Sequence, residues 1–205
     1  MHMDSIRKGV ITFQRYVFPQ HKALFHRLAQ GQTPKALFIT CADSRIDPTL
    51  ITHSDPGELF VDRNAGNFMP PFHGENASEA AGLEYALKVL QIPNIIICGH
   101  SDCGAMKAIW HPETADSLPS VKRWLRNGSV ARKQVMAMKL PEQQQLDAIT
   151  ERNVVNQLDH LRTYPVVQDC LRAGTVRIAG WIYDIEHGKV LEYNPDTDRF
   201  EVIHA

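Results

Sequence analysis

A chain of 205 residues supports one substantial hydrophobic core rather than two, and 22 Lys and Arg against 23 Asp and Glu leave a formal charge of -1. That balance gives no broad electrostatic footprint for nucleic acid or anionic lipid and suits a small or neutral substrate. The sequence holds no run of 18 apolar residues and no basic, apolar, cleavable leader, so the expectation is a cytoplasmic protein without a membrane span.

Residues 5–30 place Ile6, Val10, Phe13, Leu24 and Leu28 at helical spacings, predicting two amphipathic helices broken near Pro19. The first lies outside any obvious core segment, and an arm over residues 4–30 packed on another subunit would cover it. The whole chain, residues 1–205, is then one domain with that arm at its start. Ala36–Thr40, Glu58–Val61 and Asn94–Cys98 are short apolar runs ended by polar residues, as buried parallel strands are. Residues 77–90 predict a crossover helix. Long helices follow over residues 119–140 and 142–161, with Asn127-Gly128 and Pro141 marking weak points. Residues 175–183 read as a further strand, and 189–193 with 199–203 as an antiparallel pair around an Asn-Pro-Asp turn. The fold class is α/β: a mostly parallel sheet flanked by helices, with an antiparallel carboxyl-terminal edge and a helical amino-terminal arm.

Four cysteines, at 41, 98, 103 and 170, are better read as free thiols or ligands than as a disulfide framework in a chain able to build its own core. Cys41 and Asp43 fall just after the first strand, and His100 and Cys103 follow the third. Loops at the carboxyl ends of neighbouring parallel strands converge on one crevice, so ligands about sixty residues apart can meet there. Two thiolates and an imidazole suit zinc rather than magnesium or calcium. The fourth position belongs either to Asp43, making a closed structural site, or to an exchangeable water. Arg45, two residues past Asp43, is placed to pair with that carboxylate and draw it off the metal. Cys98 reads as core and Cys170 as the end of a helix. The histidines at 21, 26, 53, 73, 111, 160, 187 and 204 lack matching partners and read as surface or hydrogen-bonding groups. No Walker loop, no Gly-x-Gly-x-x-Gly and no Cys-x5-Arg loop is present.

The motifs Cys41-x-Asp43-Ser44-Arg45 and His100-Ser-x-Cys103-Gly104 together resemble those of the β-class carbonic anhydrases, and the similarity runs from the amino-terminal helices to Gly180–Asp184. The resemblance implies one zinc per subunit on Cys41, His100 and Cys103. Water or hydroxide would be the fourth ligand in the active state and Asp43 in a closed one, with Arg45 holding Asp43 away. It implies reversible hydration of carbon dioxide to bicarbonate and a proton, by attack of a zinc-bound hydroxide that Asp43 orients. It also places Gln32 near substrate as a donor, Phe60, Ala65 and Tyr85 around an apolar pocket, and the Gly104 N–H beside the substrate. A homodimer, able to associate further, is implied by the arm.

One branch of that family binds bicarbonate at a separate inhibitory site. Its tryptophan is Phe38 here, while Arg63 and Tyr183 match two of its other partners, so the open form is expected. Asp62, apolar or histidine in many relatives, reads as a solvated strand end. A non-enzymatic closed zinc protein, or a zinc hydrolase acting on thioesters or CS2-like substrates, would share the same ligands.

Overall fold

The computed structural model describes residues 2–74 and 78–204. They form two compact units, Met1–Thr33 and Pro34–Ala205. The first contains α1 (His2–Thr12), which passes through a wide helical turn and a tight turn at Phe18–His21 into α2 (Lys22–Leu28). The break expected near Pro19 falls in that tight turn, where the proline ring ends regular helix bonding. Phe13, Phe18 and Phe25 cluster, with ring centroids 5.4 to 6.2 Å apart. Met3, Ile6, Val10 and Ile11 stay exposed.

In the second unit, β1 (Ala36–Cys41), α3 (Pro48–Thr52), β2 (Leu59–Asn64), α4 (Ser78–Glu84), β3 (Asn94–His100) and α5 (Gly104–Trp110) come first. Then follow α6 (Pro119–Trp124), α7 (Ser129–Met138), α8 (Glu142–Leu161), α9 (Pro165–Arg172), β4 (Arg177–Asp184), β5 (Lys189–Asn194) and β6 (Arg199–Val202). The six strands lie in the order β2-β1-β3-β4-β5-β6. Pairing is parallel from β2 to β4 and antiparallel from β4 to β6, the sheet the sequence predicts.

Strand pleating sorts the core. Leu37, Ile39, Ile95 and Ile97 face one way, onto Leu83, Leu87 and Leu158. Phe38, Ile96 and Cys98 face the other, onto Met106, Ile109, Val135 and Ile149. Burial pushes the Cys98 thiol up to about 12, as a core residue requires. Helix α8 lies close over the sheet because Gly99 and Gly180 have no side chain there. A Cβ on either would come within 2.9 Å of Val154.

Several boundaries differ from the sequence reading. The second strand runs on to Asn64, since Asp62, Arg63 and Asn64 pair with Ile39, Thr40 and Cys41. Asp62 is therefore no solvated strand end. Its carboxyl is half-buried near Gly82 of α4, and burial, with Glu79 nearby, raises its pKa. The crossover helix begins at Ser78, Ala77 lying outside the described residues, and continues as a wider turn over Tyr85–Val89. The helix expected over 119–140 is divided at Leu125–Gly128, the Asn127-Gly128 weak point, where a Cβ on Gly128 would lie 2.3 Å from Ile109. Pro141 precedes the first residue of α8, as expected.

Candidate metal centre

His100 is the last residue of β3, paired with Tyr183, and so belongs to the strand rather than the loop after it. Its side chain shares the face of Ile96 and Cys98. Cys41 ends β1, and Cys103 immediately precedes α5. The loop between His100 and Cys103 is held down by Ser101, whose N–H donates to Tyr183 O at 2.9 Å and whose hydroxyl accepts from Ile185 N–H at 3.0 Å. Asp102 takes the left-handed conformation at φ 57°.

The Cys41 and Cys103 sulfurs and a His100 ring nitrogen all lie within 4.8 Å of one another, and all three residues are buried. The sulfurs are 4.0 Å apart. Tetrahedral zinc with bonds of about 2.3 Å would set them about 3.8 Å apart. His100 Nδ1 donates to Ser101 O at 2.9 Å, which fixes the tautomer and leaves Nε2 as a bare lone pair. Nε2 is buried and has no protein hydrogen-bond partner. A buried acceptor facing two thiols is what a soft divalent cation satisfies, so the residues fit zinc.

Electrostatics agree. The Cys103 sulfur is the main cause that pulls the Cys41 thiol down, aided by His100 and the Gly66 amide against burial. Cys103 is pushed up by its hydrogen bond with Cys41 and by burial, the Cys41 charge adding to both. Burial works against charging His100, but Cys41, the Ser101 carbonyl and Asp43 outweigh it and raise its pKa. Two thiolates 4.0 Å apart repel each other, and a bound cation would neutralise the pair.

Asp43 is held aside. Arg45 donates to its Oδ1 from the backbone N–H at 2.9 Å and from Nε at 3.0 Å, and to its Oδ2 from Nη2 at 2.7 Å. These bonds keep the Asp43 carboxyl well below the usual carboxylate range. Its Oδ2 stands 3.8 Å from His100 Nε2. Arg45 is itself fixed by Asp102, through the carboxylate at 2.8 Å and the backbone carbonyl at 3.1 Å, and Lys107 pairs with the same carboxylate.

Arg63 donates to the carbonyls of Cys41, Asp43 and Ile46 at 3.0, 2.7 and 2.9 Å, tying down the loop that carries Asp43. Phe38 is fully buried and meets Trp181 edge to face, with centroids 6.0 Å apart. Two of the three positions matching the inhibitory site, Phe38 and Arg63, are thus engaged by packing and by main-chain bonds.

Ala65 and Gly104 lie beside the cysteines in the chain fold. Gly66 N–H donates to Cys41 Sγ at 3.4 Å, and Gly104 opens α5 immediately after Cys103. Phe60 and Tyr85 are not brought there. Phe60 pairs with Leu37 and shares its face of the sheet, opposite to that of His100, and its ring lies 6.0 Å from that of Tyr85. Gln32 belongs to the amino-terminal unit, where it is exposed. The sequence reading gave no role to Asp102, Trp124 or Asn153. Asp102 alone carried a signal, as a carboxylate inside His100–Cys103.

Gly66 tolerates no side chain. At φ 86° a Cβ would lie 2.8 Å from the Phe68 ring and 3.0 Å from Ala105 Cβ. Gly66→Ala should cost about 2–3 kcal/mol, lowering the melting temperature of zinc-loaded protein by about 5–10 °C in a thermal scan.

Residues 36–190 match the family model described as carbonic anhydrase. A carbonic anhydrase of Pseudomonas aeruginosa is 44% identical over 97% of this chain and 90% of its own length. One from Synechococcus elongatus is 42% identical over 93% of this chain and 71% of its own. The solved β-carbonic anhydrase CcaA superposes with a TM-score of 0.95 at 41% identity, covering 99% of this chain and 100% of that one. With the donor set that the fold assembles at its strand ends, these matches place the chain in the β-class carbonic anhydrase family, zinc enzymes that interconvert carbon dioxide and bicarbonate.

Proposed function

We propose that this carbonic anhydrase works with an open metal site in which Asp43 and Arg45 act as an orienting pair. The carrying observation is the set of three bonds from Arg45 to Asp43, which hold the carboxylate apart from the Cys41, His100 and Cys103 cluster. Zinc held by Cys41, His100 and Cys103 supplies a Lewis acid that makes water nucleophilic near neutral pH. Asp43 accepts a hydrogen bond from the attacking oxygen and turns its lone pair toward the carbon of CO2. As negative charge spreads over the product oxygens, the Gly104 N–H and the Gln32 amide are the donors assigned to receive it. Ala65 contributes to the apolar wall, and the released proton passes to buffer.

Phe60 and Tyr85 lie on the wrong face to serve the metal of their own chain, so we assign them to the pocket of a second copy in a homodimer. The exposed Met3, Ile6, Val10 and Ile11 support residues 4–30 as the dimerising arm of a single catalytic domain. Subunit mixing tests this. Co-refolded Cys41→Ser and Phe60→Ala chains should exceed the summed activity of the two variants, because one site per mixed dimer is complete. No gain on mixing would contradict the assignment. No described helix is long and apolar enough to cross a membrane. The need to keep both ligand thiols reduced supports a cytoplasmic setting.

Arg63, bound to three carbonyls, and Phe38, packed on Trp181, support an enzyme without the bicarbonate switch. CO2 hydration followed down to about pH 6.5 should retain most of the activity expected from zinc-water ionisation alone. An abrupt loss there, steeper than one titration gives, would show Asp43 closing on the metal.

A further inference from the structure

The Gly66 amide that reaches Cys41 Sγ is itself held from two directions by residues far away in the chain. Its peptide plane begins at Ala65 C=O, which accepts from the indole Nε1–H of Trp124, the last residue of α6, at 2.8 Å. A peptide is planar and trans, so fixing the direction of that carbonyl fixes the opposed N–H. On the other side of the Gly66 α-carbon, its carbonyl accepts from Asn153 Nδ2 of α8 at 3.1 Å.

Asn153 is in turn fixed. Its Oδ1 accepts from Gln157 Nε2 at 3.0 Å, and Gln157 Oε1 accepts from Met69 N–H at 2.8 Å. Asn153 and Gln157 are 1% and 0% exposed, so each lost bond would strand a buried polar group. The Trp124 ring meets Phe68 edge to face at 5.9 Å, which locks the indole without using its N–H. The result is a continuous run from the Trp124 N–H through one peptide to a ligand sulfur, and hydrogen bonds in such a run polarise one another.

We propose that Trp124 and Asn153 are positioning residues that aim the Gly66 N–H at the Cys41 sulfur and so set how strongly that sulfur donates to the metal. An N–H directed at a thiolate withdraws charge from it. The metal is left a stronger Lewis acid, and both residues act on it through the Gly66 peptide. This deepens the zinc reading of the cluster and rests on it.

The test uses the protein loaded with Co2+ in place of zinc and reads the sulfur-to-cobalt charge-transfer band. Trp124→Phe keeps the ring against Phe68 and deletes only the N–H, and Asn153→Leu removes the second hold at similar volume. Trp110→Phe, packed on the same hydrophobic core as Trp124 but with no bond to the Gly66 peptide among those described, is the control. In Trp124→Phe the band should move to longer wavelength, because a more electron-rich sulfur gives up charge more easily. The acid limb of kcat/KM for the zinc form should move to higher pH, with a loss of roughly 10-fold near neutrality. Trp110→Phe should leave both unchanged. Asn153→Leu should shift the band the same way, and a folded, cobalt-loaded Trp124→Phe or Asn153→Leu protein that keeps the wild-type band, or shifts it the other way, overturns the proposal. Wild-type protein that binds no stoichiometric cobalt would instead sink the zinc reading beneath it.

Discussion

Asp43→Ala should bind one zinc per chain and lose roughly 100-fold in kcat, since the carboxylate acts by placing the attacking oxygen rather than by holding the metal. Its Oδ2 stands 3.8 Å from His100 Nε2, and its oxygens are occupied by Arg45. Arg45→Leu should give a comparable loss for the opposite reason. Freed of its partner, the Asp43 carboxylate can swing to the fourth coordination position and block it. Arg45→Lys should not rescue, because an ammonium cannot reproduce the fork that spans both Asp43 oxygens and the Asp102 carboxylate. The hydrogen bonds from Arg45 lower the Asp43 pKa, so its charge persists above the ordinary carboxylate range and is lost only as pH falls well below it. Protonation of Asp43 therefore does not account for a fall in activity on the acid side of neutrality. Zinc by elemental analysis and kcat by stopped flow on the same samples check these expectations. A zinc-replete Asp43→Ala protein with full turnover would remove the orienting role.

The ligand substitutions should act on the metal first. Cys41→Ser, His100→Ala and Cys103→Ser each remove one of three donors gathered within 4.8 Å, and zinc content should fall from about one per chain to near zero, taking activity to background. Chelation of the wild-type protein is the parallel experiment. Removing zinc present at about 1,000 times its dissociation constant withdraws about 4 kcal/mol of stabilisation. For a chain of this length that is a fall of roughly 10 °C in melting temperature. Zinc-free protein also leaves two buried thiols at 4.0 Å and the His100 Nε2 lone pair without a partner, which adds to the effect. Differential scanning calorimetry with and without chelator reads the shift. An unchanged melting temperature on complete zinc removal would mean that the cluster does not couple to folding.

The metal centre was legible because its donors stand in tight local spacings at the ends of neighbouring parallel strands. Cys41, His100 and Cys103 needed only the apolar runs before them and the tendency of strand ends to converge. The Asp43–Arg45 pair was legible for the same reason, lying two residues apart in one loop. Trp124 and Asn153 were not, because each acts on a backbone carbonyl about sixty and about ninety residues away, and a carbonyl leaves no mark in a sequence. Phe60 and Tyr85 were grouped with the site by family pattern, while strand parity puts Phe60 on the far face. One residue of register decides that. Asp62 was misplaced because its strand carries polar residues to its end, Asp62, Arg63 and Asn64, and apolar content alone stops it at Val61. The division of the 119–140 helix was foreshadowed only by Asn127-Gly128; the close approach of Ile109 to Gly128 is a packing demand that no local pattern displays.

On this account the buried Cys41, His100 and Cys103 cluster is a catalytic zinc site rather than a structural one. Its most direct test is to titrate zinc into metal-free protein and measure bound zinc and CO2 hydration on the same samples, from about pH 6.5 to about 9. Turnover rising in proportion to zinc, and saturating at one per chain, is the predicted result. Full zinc occupancy with no hydration at any pH in that range would contradict it and leave Cys41, His100 and Cys103 as a closed structural site.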